Sequence, residues 1–462
     1  MVAVACEFNG CNFGDSRLVK RAQILSSSIS RNPELSIHAA CASSKDSKAA
    51  YRFFQNENVT PSAILSGHIS NTLKRAANTG EDILVIQDTT DLIYSQFPSI
   101  EGLGERHKAK NYEVGVKGIL LHNTIAVTRS GIPLGLLKQT FFTHDDYRQK
   151  RNQVDKNIAG SNKKVPFEEK ESYRWVEHFR ETDQLLRKVA NRVIHVADRE
   201  CDIFEFLYNV ESSGSHYVVR SKANRMTQEG PRSKDTDNIQ NKLDRSPALA
   251  TLIVSKENEG IECELRSVSV ILKIPQRLPE AQSETMQNIK VSIVEVKSKE
   301  NSSKKLHWRL LTNLPCSNDK SALNIVEIYK QRWSIECFHR VLKSGFGVEK
   351  ARLASRKRLE NLASLLSIVS WYIFWLYNFG RAFPTLSAQN IFDEQAIEVL
   401  KISSKKLKVV IRGNFDIRQG ILILARLGGF AGRKNDGEPG MINIWRGWRK
   451  LQERIEFMEE LT

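Results

Sequence analysis

The sequence predicts an α/β protein, a mixed sheet flanked by helices with further helical segments at both ends. Three observations carry this. Ile83-Leu84-Val85-Ile86 and Val193-Ile194-His195-Val196-Ala197 are short, continuous apolar runs rich in β-branched residues, as expected of strands buried on both faces. Residues 118–128, 135–143 and 248–299 read as further strands, with alternation clearest in Val291-Ser292-Ile293-Val294-Glu295-Val296. Between and beyond them lie stretches with the three- and four-residue apolar spacing of helices, including Leu323–Lys343, which has no Gly or Pro.

Taken in order, residues 1–78 predict a helical domain. Asp15 or Ser16 can cap a helix carrying Arg17, Lys20 and Arg21 and running through Leu25. A second helix is expected near Lys45–Phe54. Thr60 caps a third, with Pro61 in its first position, although Gly67 weakens it. Residues 79–380 predict the α/β domain, interrupted by a β-rich insertion at 224–306 that opens with a polar loop to Pro247. Asp145–Glu171 is polar and lysine-rich and predicts a mobile loop. Leu362–Leu376 is the most apolar window; three serines interrupt it, so a buried core helix is expected rather than a membrane span. Residues 381–462 predict a helical domain, helical from Ile411, with a loop at Arg433–Gly440 and a last helix aligning Trp445, Trp448, Leu451 and Ile455.

The formal net charge is +16, which points to a polyanionic partner, nucleic acid before membrane. Seven scattered cysteines without a CxxC pair indicate neither a disulfide framework nor a zinc module, and fit a reducing cytosol. The first ten residues lack a basic lead and a long apolar run, so no signal peptide is expected.

The candidate chemistry lies where strands end. Asp88 and Asp198 each follow a buried apolar run, the position at which α/β sheets assemble sites, although either could simply cap the next helix. On a helix at about 100° per residue, Tyr329, Arg332, Glu336 and Lys343 fall within an arc of about 60°, apart from a separate apolar sector of Ile328, Ile335, Phe338 and Leu342. Asp88, Asp198 and Glu336 could meet at one sheet edge. Three such carboxylates need a counter-charge, which Mg2+ or Mn2+ supplies to hard oxygen donors; two ions about 4 Å apart could act on a phosphodiester.

At this point the residues resemble a family. The pattern Y-x2-R-x3-E-x6-K on Tyr329, Arg332, Glu336 and Lys343 is similar to the YREK signature of bacterial insertion-sequence transposases, which carry a DDE triad on an RNase H-like fold. Asp88-Thr89-Thr90, Asp198-Arg199-Glu200 with Asp202, Val218-Val219-Arg220-Ser221-Lys222, Trp308 before Leu310-Leu311-Thr312, and Leu427-Gly428-Gly429-Phe430 match as well. The resemblance runs over nearly the whole chain. It implies a cut-and-paste DNA transposase acting on double-stranded DNA, both transposon ends and target, through hydrolysis at the ends, 3′-end transfer and a hairpin intermediate.

By the same resemblance, Asp88, Asp198 and Glu336 are the catalytic and metal-binding triad for two Mg2+ or Mn2+ ions. Tyr329, Arg332 and Lys343 hold phosphates, and Trp308 stacks on a flipped base. Arg220, Lys222, Arg352, Arg17 and Arg21 grip DNA. The C-terminal domain supports a homodimer in the synaptic complex, no membrane is involved, and the setting is the bacterial cytoplasm and nucleoid. Two other readings share these features: a nuclease of the same fold that cuts without joining, and a non-catalytic DNA-binding descendant. Cys337 stands where relatives carry an acid, and the 147–170 stretch is longer than their usual connection.

Overall fold

The computed structural model describes residues 2–31, 36–41, 43–105, 115–147, 166–228, 236–256, 259–276, 278, 286–302, 304–433 and 435–461. Most of the lysine-rich 145–171 stretch, residues 148–165, lies outside the described residues.

Helices α1 (Val2–Cys6), α2 (Ser16–Arg31), α3 (Ile37–Ala40), α4 (Ser44–Gln55) and α5 (Pro61–Thr79) precede strands β1 (Ile83–Ile93), β2 (Gly104–Glu105), β3 (Lys117–Thr128) and β4 (Pro133–Phe142). Next come α6 (Tyr173–Leu186), β5 (Val193–Ala197), α7 (Phe204–Ser213), β6 (His216–Arg220), β7 (Met226–Gln228), β8 (Thr236–Asn238) and α8 (Ile239–Asp244). Strands β9 (Ala248–Lys256), β10 (Glu259–Leu272), β11 (Ile289–Ser298) and β12 (His307–Thr312) lead to α9 (Asp319–Lys330) and α10 (Trp333–Arg340). The chain closes with α11 (Arg356–Ala382), α12 (Glu394–Lys406), α13 (Ile417–Leu427) and α14 (Met441–Leu461).

The chain divides into two compact units. One comprises Met1–Asn78, Thr89–Thr143 and Ile335–Thr462; the other comprises Thr79–Asp88 and His144–Ser334.

In the second unit, residues 83–86 of β1 pair in parallel with β5, and β5 pairs in parallel with β6. From β6 the pairing turns antiparallel, through β12, β11 and β10, with β9 and β7 both on β10. The parallel strands are mostly apolar where they pair, apart from His195 in β5 and the ends His216 and Arg220 of β6, and they give α6 and α7 a dry surface to pack on. Trp175, Phe179, Phe204, Phe206, Val219 and Ile293 share that core. The polar stretch read as a loop before Pro247 contains the short strands β7 and β8 and the helix α8, whose Ile239 and Leu243 are fully buried.

In the first unit α11 is the central post. It is the one helix among the described residues long and apolar enough to cross a membrane, but most of its apolar stretch is buried inside the protein. Two of its polar side chains bond inside the unit: Trp371 Nε1 donates to Pro133 O at 3.0 Å, and Asn361 Nδ2 donates to Phe54 O and Val59 O. Strands β3 and β4 form an antiparallel pair, and β2 pairs with β3. Thr60 Oγ1 accepts from Ala63 N, the expected cap of α5. Gly67 is required in that helix: a Cβ there would lie 2.5 Å from Asn9 O, where the turn after α1 crosses it.

Three expectations change. Helix α1, unread in the sequence, delivers the buried Glu7. A hydrogen bond of 2.5 Å joins His68 Nδ1 to Glu7, and Arg75 Nη1 donates to Glu7 at 2.7 Å. Helix α12 occupies 394–406, ahead of where helix was expected to resume. The third change concerns 323–343, which is not one continuous helix.

Candidate active site and nucleic-acid contacts

The 323–343 stretch tightens, continues and then widens. After α9, the N–H groups of Gln331, Arg332 and Ser334 bond carbonyls three residues back, at 3.1, 3.0 and 2.9 Å. After α10, Val341–Gly345 forms a π-type turn in which Phe346 N reaches Val341 O at 3.0 Å. Three-residue turns advance by about 120° per residue and five-residue bonds by less than an α-helix does. The uniform advance of about 100° per residue behind the arc of about 60° drawn for Tyr329, Arg332, Glu336 and Lys343 therefore does not hold through this stretch. Nor is Tyr329 a surface residue: it is 4% exposed.

The second unit gathers most of the expected polar residues. The register Ile83↔Val193 through Ile86↔Val196 makes neighbours of the two strands whose C-terminal sides lead to Asp88 and Asp198. Neighbouring strands lie about 4.8 Å apart, and the pleat turns residues two apart to the same face. Asp198 keeps an extended backbone, and its Oδ1 accepts the Glu200 N–H at 2.7 Å, capping the short turn Arg199–Cys201. The capping role weighed in the sequence is therefore real for Asp198.

Arg332 Nη1 lies 3.7 Å from Asp88 Oδ2, with both side chains largely shielded from solvent. Trp308 meets Tyr329 edge-on, with ring centroids 5.3 Å apart. Burial pushes the Tyr329 phenol up, while Arg332 and Arg220 pull it the other way, Arg220 through a hydrogen bond as well as charge, and Asp198 adds to the rise. The hydroxyl is thus protonated at neutral pH and able to donate. Arg220 Nη2 donates to His307 O at 3.0 Å.

Asp202 organises the neighbouring loop. Its side chain is fully buried. Oδ2 accepts from Ser221 Oγ at 3.1 Å and from the N–H groups of Lys222 and Ala223, both at 2.9 Å. Oδ1 accepts from Arg225 Nε at 3.2 Å and Nη2 at 2.6 Å. One carboxylate therefore fixes the backbone that presents the exposed Lys222. Arg174 Nη2 holds Glu200 at 3.1 Å, next to Asp198. The sequence reading quoted Asp202 only as part of a motif; its partners are loop residues about twenty positions on, which no local pattern connects to it. It passed over Trp333, a tryptophan 52% exposed at the start of α10.

The remaining predicted residues belong to the first unit. Glu336 sits in the first turn of α10, half-buried, between the fully buried Ile335 and Phe338. Lys343 Nζ lies 3.4 Å from Glu349 Oε1, which also accepts the Ile93 N–H at 2.8 Å. Arg352 stacks over Phe97 at 5.0 Å. Arg17, highly exposed, pairs with Asp15, and Arg21 Nη1 bonds Asp46 at 3.0 Å.

The aspartate pair tests the fit of a divalent ion. Two carboxylates to which neighbouring strands lead suit one side of an oxygen-donor site for a hard cation. Among the described residues no group of three His, Cys, Asp or Glu is arranged to hold a metal ion. Of the three carboxylates expected to form one patch, Asp88 and Asp198 belong to the second unit and Glu336 to the first.

A mixed sheet with paired aspartates at the ends of parallel strands, beside an arginine, a phenol and an exposed lysine, defines a protein built for phosphate chemistry on a polyanion. Three family models match the chain in succession: Transposase DNA-binding over residues 1–59, Transposase DDE domain over 176–372, and Transposase Tn5 dimerisation domain over 368–461. Together these matches support a DNA transposase of the DDE class, similar to its Tn5-like members. The DDE domain implies an RNase H-like fold, with which the mixed sheet is consistent, and such domains use divalent metal ions. The matched DDE stretch contains Asp198 and Glu336 and begins beyond Asp88. The DNA-binding and dimerisation domains mark DNA and a second copy of the chain as partners.

Proposed function

We propose that this transposase moves its element by cut-and-paste in the bacterial cytoplasm, on nucleoid DNA, with Asp88, Asp198 and Glu336 as the catalytic triad. The observation that supports the reading is the parallel pairing of β1 with β5, the strands that lead to Asp88 and Asp198, together with Arg332 3.7 Å from Asp88. A divalent ion, Mg2+ or Mn2+ and two in number, held by the three carboxylates would supply positive charge to the scissile phosphate where negative charge builds up.

The chain's own residues do the rest. The Arg332 fork binds phosphate oxygens in two parallel hydrogen bonds. Tyr329, protonated, donates to a phosphate oxygen, and its place against Trp308 ties phosphate binding to the ring that stacks a displaced base. Arg220 and Lys222 hold the end DNA from the β6 side, while Lys343, Arg352, Arg17 and Arg21 add contacts from the first unit. Water attacks first and frees a 3′ hydroxyl. That hydroxyl then attacks the opposite strand to form a hairpin, and after the hairpin is opened it attacks target DNA, within a synaptic complex of two copies.

The test uses Asp88→Ala, Asp198→Ala and Glu336→Ala proteins with element-end DNA in magnesium. Each should bind the ends and fail to nick them. Normal nicking by any one removes that residue from the triad. A wild-type protein that frees ends but yields no joined product would leave a nuclease and end the transposase mechanism.

A further inference from the structure

We infer that the C-terminal helices carry a second phosphate site, for the backbone of a DNA duplex, in a cavity of about 450 Å³ bordered by Arg381, Arg418, Arg426 and Arg433. The cavity lies wholly within the first unit, between the end of α11, α13 and the loop before α14. None of its residues belongs to the site described above.

Four arginines face it against one carboxylate, Glu438. That carboxylate does not neutralise the group. It lies 3.6 Å from Arg418, but both side chains are more than half exposed, and such a pair is weak and readily exchanged. Arg381 is held flat, its guanidinium 5.2 Å above the Tyr377 ring and hydrogen-bonded to the Tyr377 hydroxyl.

Arg426 gives the second, independent observation. Its Nη1 donates to Leu407 O at 3.3 Å, but its Nε is buried and has no hydrogen-bond partner among the described residues. A buried guanidinium N–H left unpaired is costly, so the site is incomplete until an acceptor oxygen arrives. Space beside that N–H is kept by Gly432, at φ +64°. A Cβ there would stand 3.1 Å from Arg426 Nη2 and 3.3 Å from Nε. A glycine guards the approach to the guanidinium edge that a phosphate would use.

The ligand chemistry follows from the lining. Guanidinium forks favour oxyanions such as phosphate over neutral groups. The apolar wall of Ile421 and Pro384 tolerates the sugar edge of a nucleotide. Duplex DNA is the source because the chain already binds it and its net charge of +16 favours a long polyanion over a small anion at ordinary salt.

The experiment measures binding of the full-length protein to a fluorescent duplex that lacks element ends, across a salt series. Arg426→Gln and Arg418→Gln are compared with wild type, and Arg433→Gln, on an exposed loop position, covers the case in which Arg426→Gln impairs folding. Each substitution should make the plot of log affinity against log salt shallower by about one unit. An unchanged slope for all three overturns the inference. A second arm follows thermal stability in inorganic phosphate and in a nucleoside triphosphate. Stabilisation of wild type but not of Arg426→Gln, with the duplex slope unchanged, assigns the cavity to a small anion and overturns the DNA assignment. Sedimentation of the same variants separates assembly from binding. Variants that lose self-association together with duplex affinity would show that the arginines serve the dimer, and would also overturn it.

Discussion

Asp202→Ala should be among the most damaging single substitutions in the second unit, and its damage should reach DNA through Lys222. The wild-type carboxylate is fully buried and accepts from one hydroxyl, two backbone N–H groups and both Nε and Nη2 of Arg225. Its removal strands a guanidinium that is only 13% exposed, together with two backbone donors. Breaking a buried charged pair from one side costs about 3–5 kcal/mol. The hydrogen bonds to the loop are part of that cost rather than additional to it, because they share the same two oxygens. For a cooperative unit of this size each kcal/mol lowers Tm by about 2–4 °C, so the transition should fall by about 10 °C. Asp202→Asn should recover little, since its amide N–H would face a donor. Stability alone would not establish a positioning role, so the decisive assay is a double-mutant cycle. Lys222→Gln should weaken end-DNA binding in the wild-type background and have little further effect in Asp202→Asn. A Tm change under about 2 °C would refute the burial argument. An equal Lys222→Gln penalty in both backgrounds would refute the positioning argument.

Three further outcomes are expected. Burial alone would raise the Glu7 carboxyl, but the His68 and Arg75 hydrogen bonds and charges outweigh it and hold it at about 2, against an ordinary 4.5. A depressed carboxyl stabilises fully above its unfolded value and loses that contribution as pH falls toward the folded value. Glu7→Gln should therefore cost about 3 kcal/mol at pH 7, and the gap to wild type in urea titrations should close between pH 4.5 and 2. Gly67→Ala should destabilise by about 1–3 kcal/mol despite its better helix propensity, because the new methyl meets Asn9 O; equal stability by calorimetry would show that the turn after α1 yields freely. Arg332→Lys should bind end DNA within about twofold of wild type yet nick it about tenfold more slowly or worse, since a point charge replaces a fork; wild-type nicking would remove Arg332 from phosphate binding.

What the sequence reveals and what it hides divide along the range of the interactions. Asp88 and Asp198 are legible because an apolar run that stops at an acid is a local signal, and the strands form where those runs are. That the strands leading to the two acids are neighbours is not local: it depends on β1 and β5 pairing in one register, which no run of residues specifies. The helix at 323–343 was misread for a different reason. Turns bonded three, four or five residues back share nearly the same apolar spacing over a few residues, so Ile328 and Ile335 stay buried although the stretch is not one continuous helix. Gly67 counted against its helix because propensity sees only the helix, whereas the glycine answers to a backbone crossing from nearly sixty residues earlier.

Lys343 shows what this means for function. Its place in the signature was readable, and so was the cation, but not that Glu349 stands within ion-pair reach beyond a glycine-bearing turn. Glu349 is itself pinned by the Ile93 N–H, so the carboxylate will not swing away freely. A phosphate approaching Lys343 must compete with a partner held in place, whereas one approaching Arg332 meets a longer contact to Asp88. Under the proposed function, Lys343 should engage phosphate only by displacing Glu349. Glu349→Gln should accordingly raise end-DNA affinity severalfold in gel-shift titrations, and should do nothing when Lys343 is already glutamine. An affinity gain that survives Lys343→Gln would show that Glu349 repels DNA by its charge alone and that the pairing has no part in it.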